Sequence, residues 1–158
     1  MTAELCDPQE WAERPLIYDL AAVQARLPQR HEMLMLHGVL HVDAERTFAI
    51  GVHESKPTDF WVKGHIPGRP LMPGVVMIEI AAQLATFLAS LGPDLPPGGF
   101  MGFGGVDEAR FRGTVVPGDR LLVAARLLRQ RRQLKAFTTQ AWVGPELVFE
   151  AQLMGVLV

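Results

Sequence analysis

Gly74-Val-Val-Met-Ile-Glu-Ile-Ala-Ala-Gln-Leu-Ala-Thr-Phe-Leu-Ala-Ser-Leu91 decides the fold. Its polar side chains are Glu79, Gln83, Thr86 and Ser90, spaced by four, three and four residues. That spacing places them on one narrow stripe of an α-helix, and the remaining positions are apolar. A helix apolar around most of its circumference must be covered on several sides. Pro73 suits the first helical position, where its missing N–H costs nothing. Gly92-Pro93 stops the helix.

The cover comes from strands on either side. Downstream, after a loop from Asp94 to Gly99, the pattern predicts a glycine-containing strand over Phe100 to Phe111. A turn at Pro117-Gly-Asp119 leads to strands over Leu121 to Leu128, Leu134 to Val143 and Leu147 to Leu157. Upstream, Met33 to Val42 and Thr47 to Val52 read as a strand pair joined by Asp43-Ala-Glu-Arg46. Leu16 to Leu27 has the apolar spacing of a short helix ended by Pro28. Residues 1–14 are polar and read as loosely held, so a short extension (1–15) precedes a single domain (16–158). One buried helix with five or six antiparallel strands is an α+β architecture, the sheet wrapped round the helix.

Bulk properties narrow the function. A chain of 158 residues holds one domain with a full core. The net charge of −2 gives no reason to expect nucleic acid as a partner. Cys6 is the one cysteine, which rules out an intrachain disulfide and points to the reducing cytoplasm. Residues 1–14 lack the apolar stretch of a signal peptide. No stretch of about eighteen residues is free of polar groups, so a membrane span is not expected.

The chemistry gathers at the start of the helix. Pro57 to Pro73 is a loop stiffened by four prolines (Pro57, Pro67, Pro70 and Pro73), and His65 lies within it. A loop histidine is commonly no more than a partner for a backbone carbonyl. Glu79 has Val75, Val76, Ala82 and Gln83 at helical contact distance, none of which neutralises it. If buried, its carboxyl favours the protonated form and becomes a general acid. If it sits on an exposed helix edge, it is an ordinary solvated glutamate. Gln83, one turn on, can hydrogen-bond it in either case. Gly74 places an unpaired N–H at the positive end of the helix dipole, which suits developing negative charge. It can equally serve only to let the loop enter the helix.

His65-Ile-Pro-Gly-Arg-Pro-Leu-Met-Pro-Gly-Val75, followed by Glu79 and Gln83, resembles the signature of the FabZ-type 3-hydroxyacyl-acyl-carrier-protein dehydratases. The resemblance continues in Gly105-Val-Asp-Glu-Ala-Arg-Phe111, in Val115-Val-Pro-Gly-Asp119 and in Leu27-Pro-Gln-Arg-His31. It implies the hotdog fold, a long helix wrapped by an antiparallel sheet. It also implies that His65 and Glu79 are the catalytic pair, meeting across a homodimer interface, and that Gly74 donates its N–H to the thioester carbonyl. Trimers of such dimers occur in the family. Departures from the pattern fall at Gln29, Glu32, His37-Gly38, Arg69 and Gly113-Thr114.

The expected reaction is removal of water from a (3R)-hydroxyacyl thioester to give a trans-2-enoyl thioester. No metal or redox cofactor is required, because elimination changes no net oxidation state. The expected partner is an acyl carrier protein, whose acidity suits docking by Arg69, Arg110 and Arg112 or by the basic stretch from Arg126 to Lys135. Rival readings are a thioesterase or coenzyme A hydratase on the same fold, and a non-catalytic acyl-binding protein. His37 and His41 stand four apart in a strand pattern with no third metal ligand. Met33, Met35, Met72, Met77, Met101 and Met154 suit either an acyl tunnel or the core.

Overall fold

The computed structural model describes residues 3–96 and 99–158; Met1, Thr2 and two residues of the expected 94–99 loop, Pro97 and Gly98, lie outside the described residues. The chain forms a short helix α1 (Leu20–Gln24), strands β1 (Gly38–Val42) and β2 (Phe48–Glu54), and the long helix α2 (Gly74–Ser90). Strands β3 (Met101–Phe111), β4 (Arg120–Arg131), β5 (Leu134–Val143) and β6 (Glu146–Leu157) complete it. The six strands form one antiparallel sheet in the order β1-β2-β4-β5-β6-β3. The hairpins β4–β5 and β5–β6 follow directly in sequence. The crossover through α2 carries the chain from β2 to the far edge, where β3 pairs with β6.

The sheet curves round α2. Ile80, Leu84, Phe87 and Leu88 of the helix are buried against Val123, Phe137, Phe149 and Leu153 of the sheet. Each such side chain contributes roughly 1.5–3 kcal/mol by leaving water. The C-terminal end of the helix is closed by two cations. Arg26 Nη1 donates to the Ser90 carbonyl at 3.1 Å, and Arg46 Nη1 donates to the Leu91 carbonyl. Both satisfy carbonyls that the helix leaves unpaired, at the negative end of its dipole.

The expected α+β hotdog architecture stands, with corrections in the first third of the chain. The helix expected over Leu16 to Leu27 shrinks to α1, because Tyr18 bridges to Val39 and the N–H groups of Ile17 and Tyr18 bond the Val39 carbonyl at 2.8 and 3.1 Å. Asp19 caps what remains by accepting from the Ala22 N–H at 2.9 Å. The strand expected from Met33 starts only at Gly38, because a side chain from α2 takes the N–H groups of Met35 and Leu36. Pro73 is the N-cap rather than the first helical residue.

From Ala3 onward the N-terminal extension is not loose. Leu40, Phe48, Ile50, Val52, Leu122, Ala124 and Trp142 form a second apolar cluster, and Leu5, Cys6 and Trp11 pack against it. Gln140, fully buried, ties the strap down: its Oε1 accepts from the Leu5 N–H at 2.7 Å and its Nε2 donates to the Ala3 carbonyl at 3.2 Å. Among the described residues no helix is long and apolar enough to cross a membrane.

Candidate active site

The loop between β2 and α2 is built from turns that aim His65. Asp59 starts it, with its Oδ2 accepting from the Lys56 N–H at 3.0 Å and its carbonyl from the Val62 N–H at 3.1 Å. Trp61 is buried, and its carbonyl accepts from the His65 N–H at 3.0 Å. Ile66-Pro67-Gly68-Arg69 closes with a 2.9 Å bond from the Arg69 N–H to the Ile66 carbonyl. Proline at the second position and Gly68 at φ +80 fit a type II turn, which requires a positive φ there. Met72 is buried, and its N–H bonds the Val115 carbonyl at 2.9 Å, which fixes the approach to α2.

The same loop sets the tautomer of His65. Its Nδ1 lies 2.7 Å from the Leu71 carbonyl oxygen. A carbonyl only accepts, so Nδ1 carries a proton, and in the neutral ring the lone pair sits on Nε2. The residue is exposed.

Glu79 is half-buried on the helix stripe. Gln83 holds it, donating from Nε2 to Glu79 Oε1 at 2.8 Å and to the Met33 carbonyl at 2.6 Å. Gln83 Oε1 accepts from the N–H groups of Met35 and Leu36 at 2.9 and 3.0 Å. The buried amide thus uses both hydrogens and both lone pairs. Among the described residues none donates to Glu79 Oε2.

Glu79 and Gln83 line a groove of about 250 Å³ that runs between α2 and the β3–β6 edge. Its walls include Ala82, Phe103, Phe137 and Leu153, with Gly102 and Gly155 opening the side against the sheet. Met101 and Met154 belong to the groove, whereas Met35, Met72 and Met77 are core and Met33 is exposed.

Gly74 is the first residue of α2, and no described residue accepts from its N–H. A Cβ there would meet the Phe111 ring at 2.7 Å, so any larger residue must push that ring aside. Phe111 in turn stacks on Phe149 at 5.6 Å between centroids. His65 and Gly74 are not among the residues lining the groove that holds Glu79 within one chain. Arg69 and Arg110 are exposed. Arg112 is engaged by Glu150 at 2.8 Å.

The other histidines serve different ends. The His41 ring lies tilted against Trp11 at 4.8 Å, and His37 stacks on His53 at 4.6 Å. His37 Nδ1 accepts from the Glu54 N–H at 2.9 Å. His53 is buried, and its Nδ1 donates to the Met35 carbonyl at 2.7 Å. Burial pushes His37 down to about 4, with repulsion from His53 adding to it, and burial lowers His53 as well.

Of the groove walls, the sequence pointed to Met101 and Met154 but not to Phe137 and Leu153. Phe137 and Leu153 were legible only as inward positions of alternating strands. The Leu71 carbonyl has no sequence signal, because any residue supplies one.

Residues 27–152 match the family model of the FabA-like domain. The chain belongs to the FabA-like family. Among its FabA-like relatives, the 3-hydroxyacyl-[acyl-carrier-protein] dehydratase FabZ of Desulforamulus reducens is 37% identical over 136 residues, covering 86% of this chain and 94% of its own. The enzyme of the same name from Anaeromyxobacter dehalogenans is 38% identical over 152 residues, covering 94% of this chain and 96% of its own. Solved structures show the shared fold. The dehydratase heterocomplex ApeI:P of Xenorhabdus doucetiae superposes with a TM-score of 0.70 at 17% identity, over 86% of this chain and 90% of that one. A thioesterase of Pseudomonas aeruginosa gives 0.66 at 14% identity, over 94% and 97%.

Proposed function

We propose that the protein removes water from (3R)-hydroxyacyl thioesters on an acyl carrier protein, giving trans-2-enoyl thioesters. The observation that carries this reading is Glu79, clamped by Gln83 at the wall of an apolar groove, in a FabA-like chain. An acyl chain fills the groove and brings its C3 hydroxyl to the carboxyl group.

The neutral His65 takes the C2 proton on Nε2. The C2–H electron pair becomes the C2=C3 bond as the C3–O bond breaks. Glu79, protonated on Oε2, gives that proton to the departing oxygen, and water leaves. Charge gathering on the thioester carbonyl in between is held by the Gly74 N–H, aided by the dipole of α2. Transfer of a proton from the imidazolium back to Glu79 restores the site. A positioned acid or base contributes about 10²–10⁴ in rate.

The pair is completed by a second copy of the chain, with His65 of one protomer reaching Glu79 of the other. Edge strand β3 supports this reading: Phe103, Val106 and Phe111 are exposed there, as is Val75 on the first turn of α2. Arg69 and Arg110 supply positive charge for an acidic carrier. The cytoplasm is the compartment proposed, in keeping with the lone Cys6.

Subunit mixing tests the shared site. His65→Ala and Glu79→Gln chains, each inactive alone, should recover activity when exchanged, because one site in each heterodimer keeps both groups. No recovery despite proven exchange would put both groups in one chain.

A further inference from the structure

The groove holding Glu79 ends at a wall with empty space behind it. On β5, Phe137 pairs with Leu153 of β6 on one side and with Leu127 of β4 on the other. Leu153 lines the groove. Leu127 instead lines a second cavity, also of about 250 Å³. Phe137 lines both, and the residue is 1% exposed. The helix shows the same division. Ala82, Ala85 and Thr86 face the groove, while Leu88 and Ala89, on the following turn, face the second cavity. One turn of helix advances about 5.4 Å, so the two spaces follow each other along a single face of α2. The far rim of the second cavity is polar, where Lys135 Nζ meets Asp94 Oδ2 at 3.1 Å.

We propose that Phe137 sets the acyl-chain length this protein accepts, by closing the groove before the second cavity. The inference rests on the dehydratase reading above. An acyl tail that enters past Glu79 runs along α2 and stops against the Phe137 ring. With the ring removed, the tail continues beside Ala89 and Leu127 until the Lys135–Asp94 pair halts it, because further methylenes would displace charged groups.

The test is kcat/KM across a series of 3-hydroxyacyl carrier-protein substrates, from butyryl to palmitoyl length. Phe137→Ala should move the preference to longer chains, by about tenfold in the long-to-short ratio for every two methylenes newly buried. Ala89→Leu fills only the second cavity. It should leave the parent profile unchanged and, combined with Phe137→Ala, should return the preference toward the parent's. An unchanged profile in folded Phe137→Ala protein would overturn the proposal. So would loss of long-chain turnover from Ala89→Leu alone, which would mean that the cavities are already joined. If Phe137→Ala does not fold, Phe137→Leu should show a smaller shift in the same direction, and no shift there would count against the wall. A parent inert toward every chain length would instead refute the reaction itself.

Discussion

Gln83 Nε2 donates to Glu79 Oε1 at 2.8 Å, and the same amide accepts two backbone N–H groups from the segment entering β1. One side chain therefore orients the Glu79 carboxyl group and stitches the chain ahead of β1 to the central helix. Replacing it by leucine strands the buried N–H groups of Met35 and Leu36, at about 1–3 kcal/mol for each unpaired group. Gln83→Leu should lower the melting temperature. It should also lower kcat, by up to about 10²-fold, as Glu79 loses its fixed rotamer. A thermal melt with steady-state kinetics checks both. Unchanged kcat in a destabilised protein would confine Gln83 to folding.

Gly74 is squeezed by Phe111, whose ring lies 2.7 Å from where a Cβ would stand. Gly74→Ala should displace the first turn of α2 and its N–H, with a loss of about 10²–10³ in kcat if that N–H binds the oxyanion. Truncating the obstacle by adding Phe111→Ala should restore much of the rate. No rescue, with Phe111→Ala alone fully active, would show that the alanine methyl acts on the substrate directly.

His37 and His53 make stability pH-dependent. Both are held below the 6.5 of a free imidazole, mainly by burial, with His37 near 4. Between those values the unfolded chain binds more protons than the folded one, so stability rises with pH. The His37 contribution is complete above about pH 6.5 and drains away as pH falls toward 4, a loss on the order of a few kcal/mol, and His53 acts in the same direction. Urea melts should show a steeper acid decline in the parent than in His37→Gln, whose amide oxygen can still accept from the Glu54 N–H. Parallel declines would contradict this.

Much of the fold was legible because α2 announces itself. A helix with a polar stripe only at Glu79, Gln83, Thr86 and Ser90 needs a sheet around it, and the alternation in 134–143 and 146–157 supplies one. The first third was harder to read because long-range bonds set it. Gln83 takes the N–H groups that would have extended β1, and Val39 pulls Ile17 and Tyr18 out of α1. The strap over the outer face was invisible for a similar reason: Leu5, Cys6 and Trp11 follow no period, and only the cluster around Trp142 gives them a place. His65, Gly74, Glu79 and Gln83 stood out in sequence because loop stiffness and helical spacing are local. The groove did not, because Phe137 and Leu153 meet α2 only through the curvature of the sheet.

The most direct test of the account is the mass of the acyl product formed from a 3-hydroxyacyl carrier-protein substrate by the parent, by His65→Ala and by Glu79→Gln. The parent should yield the thioester lighter by one water and still attached to its carrier, while both variants, folded, leave the substrate nearly untouched. Release of free carrier thiol by the parent, or conversion by both variants within about tenfold of it, would contradict the account.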